Sequence, residues 1–242
     1  MRIAVISDIH ANLHALEAVL AAIDAHGIDE LWCLGDVVGY GPRPNECVAI
    51  VRERSSVCLA GNHDLVVLGK IELSAFAGEA AAAAEWTRAE LDPESVAFLA
   101  GLAPSGRTPS AELFHGSARD PIWDYVTDDE SACWTFKATS EPLVLVGHSH
   151  IALEISGGDR LRGGKAMAGT TVELGGGARR ILNPGSVGQP RDGDPRAAWL
   201  VIDNGAGRAT FCRTDYPFES TQAEMRTLHL PEVLAERLAH GI

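Results

Sequence analysis

Carboxylate and imidazole side chains recur in this sequence where short apolar runs end. Five such segments follow one another along the chain: Asp8-Ile9-His10, Gly35-Asp36, Gly61-Asn62-His63-Asp64, His115, and Gly147-His148-Ser149-His150. Neutral imidazole and carboxylate oxygen are ligands for Mn, Fe or Zn, and the absence of cysteine from these segments argues against a structural zinc site. The residue types therefore predict metal chemistry without thiolates.

The spacing supports more than one ion. In extended backbone, residues two apart point to the same side, so Asp8 with His10, and His148 with His150, can each present two ligands together. Six ligands exceed one tetrahedral zinc site and suit two ions about 3.5–4 Å apart that share one carboxylate, an arrangement used for displacement at phosphorus. The tetrapeptide at 61–64 is the most specific element, because chance predicts it on the order of 0.001 times in such a chain.

Each residue alone also has a structural alternative. Asp8 can cap a following helix, and Asp36 can form a turn. His115 has no second candidate ligand within a few residues of it in the sequence, so no spacing supports it as a ligand. The remaining histidines lie on helix-like stretches outside these five segments, and we predict structural roles for them: His14, His26, His229 and His240.

The apolar pattern predicts the elements that position these segments. Short apolar runs predict strands at 2–7, 31–34, 56–60, 112–115 and 143–147. The spacing of Leu13, Leu16, Leu20 and Ile23 predicts a helix between the first two strands, and further helices are predicted at 44–54, 129–138, 219–228 and 231–239. Because the carboxyl ends of strands in such α/β sheets open on one crevice, the five segments can meet there.

The second half of the chain has a different pattern. After His150, short alternating runs with Gly-rich turns predict antiparallel hairpins. The Ala-rich stretch at 71–102 predicts a helical insertion, and no linker brackets it. We therefore expect residues 1–242 to form one domain.

The composition limits the classes of partner. The 242 residues include 33 Asp plus Glu and 20 Lys plus Arg, which give a formal charge of −13. This balance argues against a protein that binds long nucleic acid or an anionic membrane surface. The N-terminus meets a charge too early for a secretory signal, no run approaches transmembrane length, and five cysteines without a CxxC pair fit reduced thiols. We expect a cytoplasmic protein.

Taken in order, the five segments resemble the full motif set of the calcineurin-like metallophosphoesterase superfamily. The residues 183–191, Asn-Pro-Gly-Ser-Val-Gly-Gln-Pro-Arg, resemble a further loop of its small bacterial and archaeal members. The resemblance implies an α/β fold in which two mixed β-sheets form a sandwich flanked by helices, a four-layer αββα arrangement. It also implies two divalent metal ions, of which we expect Mn, with Fe or Zn as the alternatives.

The resemblance assigns roles position by position. It implies that one ion is held by Asp8, His10 and His150, that the other is held by Asn62, His115 and His148, and that Asp36 bridges them. A water between the ions would attack phosphorus. His63 would donate a hydrogen bond or proton on the leaving-group side, and Asp64 would orient its imidazole and favour the charged form.

The substrate is less constrained. The resemblance suggests that Arg191 contacts a substrate phosphate, and Asn12, Tyr40, Asn183 and Ser186 are further candidates for lining the pocket. In phosphoprotein phosphatases and symmetrically cleaving dinucleoside tetraphosphatases, Arg precedes the Asn-His segment and a second Asp follows the Gly-Asp motif. This sequence has Ala60 and Gly39 at those places.

We therefore expect a hydrolase of a small, nucleotide-like phosphodiester or phosphoanhydride, either a phosphodiesterase or an asymmetrically cleaving dinucleoside polyphosphate hydrolase. The enzymatic alternative is a phosphomonoesterase or phosphoprotein phosphatase. A non-catalytic scaffold on the same fold is the third hypothesis, and it would be expected to have lost ligands. The sequence leaves homo-oligomer formation open.

Overall fold

The computed structural model describes residues 1–158 and 160–242, and its strands form two six-stranded sheets. The first sheet contains β1 (Arg2–Ile6), β2 (Glu30–Cys33), β3 (Val57–Cys58), β9 (Thr171–Glu173), β11 (Ala197–Asp203) and β12 (Arg208–Thr214), in the order β3-β2-β1-β11-β12-β9. The pairs formed by β1, β2 and β3 are parallel, whereas β11, β12 and β9 pair antiparallel. The sheet is therefore mixed.

The second sheet is mixed in the same way. It contains β4 (Ser105–Thr108), β5 (Ala111–Phe114), β6 (Leu143–Val146), β7 (Ala152–Gly157), β8 (Arg162–Lys165) and β10 (Arg179–Pro184), in the order β4-β5-β6-β10-β7-β8. The central strands β5, β6 and β10 are parallel, and the outer strands pair antiparallel. Each sheet thus brings carboxyl ends of parallel strands to one edge.

The alternation of side chains along β1 shows how the layers stack. Ile3 and Val5 lie in an apolar cluster with side chains of the second sheet. The intervening Ala4 and Ile6 lie in another cluster with the buried face of α1 (Leu13–Ala25). Because a slip of one residue would exchange these two faces, the apolar pattern also fixes the register of the strand.

Helices cover the outer faces of both sheets. α1 and α2 (Pro44–Arg54) pack on the first sheet, and α6 (Asp129–Ala138) packs on the second. This arrangement confirms the predicted αββα sandwich. The remaining helices are α3 (Asn62–Val67), α4 (Gly78–Glu90), α5 (Pro93–Ala100), α7 (Phe218–Thr227) and α8 (Glu232–Glu236), with short 3-10 turns at Leu73–Ala75 and Arg237–Ala239.

Across the described part of the chain, every helix is too short or too polar to cross a membrane.

The local structure departs from expectation at several places. The strand expected at 56–60 has only two residues, and the motif at 61–64 begins helix α3, which was not predicted. The Gly-rich edge strands β4 and β8 were missed because their sequences lack an apolar alternation. The second half of the chain is also not wholly antiparallel, since β10 pairs parallel with β6.

Candidate metal centre

The five polar segments follow β1, β2, β3, β5 and β6, four of them in loops and the one at 61–64 at the start of α3. Backbone hydrogen bonds join these loops to one another: the Asp8 N–H donates to the Gly35 carbonyl at 3.0 Å, and the His10 N–H donates to the Asp36 carbonyl at 3.0 Å. Seven predicted ligands are each at most 4% exposed: Asp8, His10, Asp36, Asn62, His115, His148 and His150. The structure brings all of them to one buried crevice between the sheets.

Their ligating atoms fall into two groups that share one carboxylate. In the first group, atoms of Asp8, His10, Asp36 and His150 all lie within 4.8 Å of one another, and in the second the same holds for Asp36, His115 and His148. Asn62 adjoins the second group, because its Oδ1 lies 3.1 Å from His115 Nε2. The division of ligands implied by the resemblance matches this geometry.

The imidazole nitrogens are oriented as metal ligands require. In His10, His115 and His150, Nδ1 lies 2.6–3.2 Å from a backbone carbonyl oxygen. A carbonyl can only accept, so Nδ1 carries the hydrogen, and each ring presents the lone pair of Nε2 whenever it is neutral. The Nε2 atoms of His10 and His150 face each other at 3.0 Å, which places two lone pairs in opposition.

Three buried polar atoms near these nitrogens have no hydrogen-bond partner among the described residues: Asp8 Oδ1, Asp36 Oδ2 and His148 Nε2. Burying such groups without a partner is costly. A cation bound between these atoms would give the carboxylate oxygens and the imidazole lone pairs a partner. Nitrogen and oxygen donors of this kind suit a divalent transition metal. The residues present therefore fit metal ions.

The backbone of these loops is strained. Left-handed conformations with φ between 50° and 64° occur at Asp8, His10, Asp36, Tyr40, His148 and His150. Such conformations cost about 1–2 kcal/mol per residue when a Cβ is present. Strain of this kind collects at functional sites, where the surrounding structure holds it in place. Here it turns adjacent side chains toward one point.

Burial sets the protonation of the imidazoles. It holds the pKa of His10 and of His150 well below the usual range, and it lowers the pKa of His148 to about 3. These three rings are therefore neutral near pH 7, as a metal ligand must be. Burial also raises the pKa of Asp8 to about 7.

His115 and Asp36 form an ion pair, with 3.4 Å between Nε2 and Oδ2. Burial opposes the charged forms of both, but their mutual attraction outweighs it. The pKa of Asp36 is held well below its usual range, chiefly by His115 and then by His63, and the pKa of His115 is raised to about 9. Without metal, a proton on His115 places a positive charge beside Asp36.

Comparison with known proteins agrees with this centre. Residues 1–205 match the family model described as the calcineurin-like phosphoesterase superfamily domain. The chain belongs to this superfamily. The resemblance inferred from the motifs is thereby confirmed, and the protein is a phosphate-ester hydrolase of a metal-dependent family. The hypothesis of a non-catalytic scaffold is not supported.

Two similar proteins match this phosphoesterase over nearly its whole length, and a third matches about half of it. It is 42% identical to a metallophosphoesterase of Sphaerobacter thermophilus, whose crystal structure superposes with a TM-score of 0.91 over 100% of both chains. It is 37% identical to the uncharacterized protein MJ0912 of Methanocaldococcus jannaschii, across 99% of this chain and 98% of that protein. A symmetrical bis(5'-nucleosyl)-tetraphosphatase of Neisseria gonorrhoeae is 31% identical across 47% of this chain and 48% of its own length.

His63 adjoins both ligand groups but lies in neither. Its imidazole is 4% exposed and stands edge-on to His10, with ring centroids 4.8 Å apart. Burial lowers the pKa of His63 to about 4. Among the described residues, nothing bonds its Nδ1. The ring is therefore neutral near pH 7 when the site holds no anion.

The expected contact between Asp64 and the His63 ring is wrong. The Asp64 carboxylate accepts hydrogen bonds from the Val38 N–H at 3.1 Å and the Gly61 N–H at 2.9 Å. The carboxylate thus connects the loop that carries Asp36 to the start of α3 and does not contact the imidazole. A side chain in the first turn of a helix that accepts from the N–H groups at the helix N-terminus points back toward that terminus. Asp64 is a positioning residue for the loop.

Gly39 occupies the space where a carboxylate partner for His63 would stand. A Cβ at residue 39 would lie 2.5 Å from His63 Nδ1, and φ is +90° there. Only glycine fits this close approach. Phosphoprotein phosphatases and symmetrical tetraphosphatases have a second Asp at this position. Here the backbone of Gly39 lies close to the imidazole instead.

A cavity of about 190 Å³ opens above the two ligand groups, and Tyr40 and Arg191 line it as predicted. Arg191 lies over the Tyr40 ring, 5.8 Å from its centroid, and donates to Gln189 Oε1 at 2.8 Å. Arg237 approaches the same Gln189 oxygen at 3.4 Å, and no sequence motif marks this second cation. Arginine is thus placed beside the ligand groups.

Three polar residues predicted to line the pocket serve the framework instead. Asn12 is 1% exposed, caps α1 by accepting from the Ala15 N–H, and donates to the Gly188 carbonyl, so its amide is already used. Asn183 donates to the Gly147 carbonyl, and Ser186 donates to the Asp8 carbonyl. A polar residue in a loop can either hold the loop in place or contact a substrate, and the residue type alone did not distinguish these roles.

The aromatic side chains that line the cavity beside Tyr40 were also not predicted. Phe76, Trp123 and Tyr125 line its mouth together with Tyr40. Tyr125 stacks on His148 with ring centroids 4.1 Å apart, and Phe76 lies 4.4 Å from His63. The residues come from two distant segments with no shared motif. The only available signal was the pair of aromatics in the short loop after His115.

Proposed function

We propose that this phosphoesterase is a two-metal hydrolase that cleaves a small, nucleotide-like phosphodiester or phosphoanhydride. The observation that carries the proposal is the pair of buried ligand groups that share Asp36. Asp8, His10 and His150 would hold one ion, and Asn62, His115 and His148 would hold the other. We propose Mn as the native metal because the set includes carboxylate and amide oxygens beside its imidazoles, and the imidazoles make Fe or Zn the alternatives.

When bound, two divalent ions supply Lewis acidity and lower the pKa of a water. The chain's own residues do the rest. Backbone carbonyls hold the ring tautomers of His10, His115 and His150 and so aim Nε2 at the ions. Arg191 would bind a phosphoryl oxygen and orient the phosphorus for in-line attack.

His63 would serve the leaving group. Its buried ring stands beside the cavity, and a phosphate anion placed there would favour the imidazolium by direct charge interaction. A proton on His63 could then pass to the departing oxygen, which is general acid catalysis. Asp64 contributes by fixing the loop and the helix that carry Asp36 and His63.

A phosphodiester fits better than a phosphomonoester because of charge. Besides the proposed ions, the cavity lining supplies one cationic side chain, Arg191, so the single negative charge of a diester needs less compensation from the protein than the nearly two charges of a monoester. Ala60 and Gly39 also stand where phosphoprotein phosphatases and symmetrical tetraphosphatases have Arg and Asp. The Neisseria relative named for nucleotide hydrolysis supports a nucleotide-like ester, and its match covers about half of either chain.

We further propose that residues 1–242 act as one catalytic domain in the cytoplasm, with 71–102 as an insertion. The substrate would be a small phosphate ester and not long nucleic acid or membrane lipid. The five cysteines, all free, are compatible with a reducing compartment. Homo-oligomer formation stays open, and light scattering of the purified protein would settle it.

The test is a substrate panel on metal-stripped protein reloaded with Mn²⁺, Fe²⁺ or Zn²⁺. Bis-p-nitrophenyl phosphate should be hydrolysed faster than p-nitrophenyl phosphate, and a dinucleoside polyphosphate or cyclic nucleotide should also turn over. His240→Gln, which changes an exposed histidine, is the matched control for His63→Gln. Faster turnover of the monoester would favour the phosphomonoesterase alternative, and no turnover with any loaded metal would overturn the proposal.

A further inference from the structure

The mouth of the metal cavity is built from aromatic rings. Phe76 lies in the insertion at 71–102, whereas Trp123 and Tyr125 come from the loop between β5 and α6. Trp123 is 37% exposed and Tyr125 is 45% exposed, which is unusual for large aromatic side chains beside a polar centre. Exposed aromatic surface that is continuous with a binding cavity indicates a contact surface for a ligand.

The loop that carries these rings is held rigidly. Asp124, which stands between the two aromatics, accepts from Ser117 Oγ at 2.6 Å and from both Nε and Nη2 of Arg119, at 3.1 and 2.8 Å. The Asp120 carboxylate accepts from the Trp123 N–H at 3.1 Å. Rings on such a loop are preorganised, so binding does not have to order them.

The shape of the site separates two parts of a substrate. The cavity of about 190 Å³ is smaller than the 300–1,000 Å³ that is typical of ligand pockets, so the phosphoryl group fills it and the rest of the molecule lies at the rim. Phe76 and Trp123 meet edge to face there, with centroids 6.0 Å apart, and Tyr125 is held parallel to the His148 ring. The rim therefore offers ring faces and edges.

The charge of the rim argues for a neutral planar group. Among the residues that line this cavity, Arg191 is the one cation, against four aromatic rings. A chain of further phosphates at the rim would have little positive charge to meet it. A nucleobase is uncharged and presents a π face to which aromatic side chains add stacking energy.

Building on the proposed phosphohydrolase function, we propose that Phe76, Trp123 and Tyr125 form a nucleobase subsite, which we call the aromatic rim. The substrate class is then a nucleoside phosphodiester whose base stacks on the rim while its phosphate lies over the two ligand groups. Trp123 is the principal stacking residue because it is the largest of the three and is partly exposed at the mouth.

The test compares two ligands that differ only in the base. AMP and ribose 5-phosphate share the same phosphate and sugar, and their dissociation constants are measured by calorimetry on the Mn²⁺-loaded protein. AMP should bind more tightly by at least about fivefold, the lower end of the range for one stacked base. Trp123→Ala should bring the ratio of the two constants near one, and Trp123→Phe should keep most of it.

Trp134→Ala is the matched control, since Trp134 is an exposed tryptophan of α6 outside the cavity lining. This variant should retain the wild-type ratio. Equal affinities for AMP and ribose 5-phosphate, or an unchanged ratio in Trp123→Ala, would overturn the aromatic rim while diester hydrolysis still stood. Tighter binding of a phosphotyrosyl peptide than of AMP would also overturn it. Failure to hydrolyse any ester of the panel would overturn the proposed function itself.

Discussion

Metal binding to this phosphoesterase is expected to release protons, and the number released near neutral pH depends mainly on the protonation of His115. Its Nε2 lies between Asp36 Oδ2 and Asn62 Oδ1, at 3.4 and 3.1 Å, and a metal needs the lone pair that the proton occupies. With the pKa of His115 raised to about 9, that proton must leave before the second ion binds. The affinity of this ion is therefore pH-dependent.

The size of the effect follows from the pKa. At pH 7 the group lies about two units below its pKa, so deprotonation costs about 2.7 kcal/mol and lowers the affinity about 100-fold relative to the fully deprotonated ring. Between pH 7 and 9 the affinity should rise about tenfold per pH unit. Below pH 7 the dependence becomes steeper, because Asp8 has a pKa of about 7 and must also lose a proton.

Calorimetry measures this release directly. Mn²⁺ is titrated into metal-stripped protein at pH 8, under argon, in buffers of different ionisation enthalpy, and the dependence of the heat on buffer gives the number of protons released. About one proton per protein is expected at pH 8 and nearly two at pH 6.5.

His115→Asn replaces the imidazole nitrogen with an amide oxygen and removes the titrating ring, so the release at pH 8 should fall. His26→Asn, which changes an exposed histidine at the end of α1, should leave the release unchanged. An affinity that stays flat between pH 6.5 and 8.5, with no proton release in any buffer, would refute the protonated His115 and its pairing with Asp36.

Three further outcomes are expected. Metal-free protein should lose about 3 kcal/mol of unfolding free energy between pH 6.5 and 9 in chemical denaturation, because the raised pKa of His115 stabilises the fold below 6.5 and this contribution is lost as pH rises through about 9. His63→Gln should lower kcat about 10²- to 10⁴-fold with metal content unchanged by elemental analysis. Gly39→Ala should displace the imidazole and lower kcat while leaving metal content intact, and normal turnover would show that the 2.5 Å approach is relieved without moving His63.

The metal-ligand set could be predicted because its signal is local. Asp8 with His10, and His148 with His150, are pairs within three residues, and each pair follows an apolar run that already predicts a strand. Within each sheet the parallel strands present their carboxyl ends at one edge, and the packing of the two sheets against each other then brings the two pairs together. Fold class and candidate ligands were accessible for the same reason.

The remaining features could not be predicted because they depend on contacts between distant segments. Whether the Asp64 carboxylate faces a ring or a backbone N–H is decided by the start of α3, which no periodicity marked. The aromatic rim joins Phe76 to Trp123 across 47 positions of chain, and its members share no motif. Asn12 was misassigned because a buried cap and a substrate contact use the same amide.

The misassigned polar residues explain how the strained loops persist. The left-handed backbone at Asp8, with φ of 54°, is held by the Ser186 hydroxyl, which donates to the Asp8 carbonyl at 2.7 Å, while the Gly188 N–H donates to the same oxygen at 3.0 Å. The hydroxyl is fully buried and also accepts from the Gln189 N–H. Because this clamp fixes the direction of a predicted ligand, loss of the Ser186 hydroxyl would act on metal affinity and not on substrate contact.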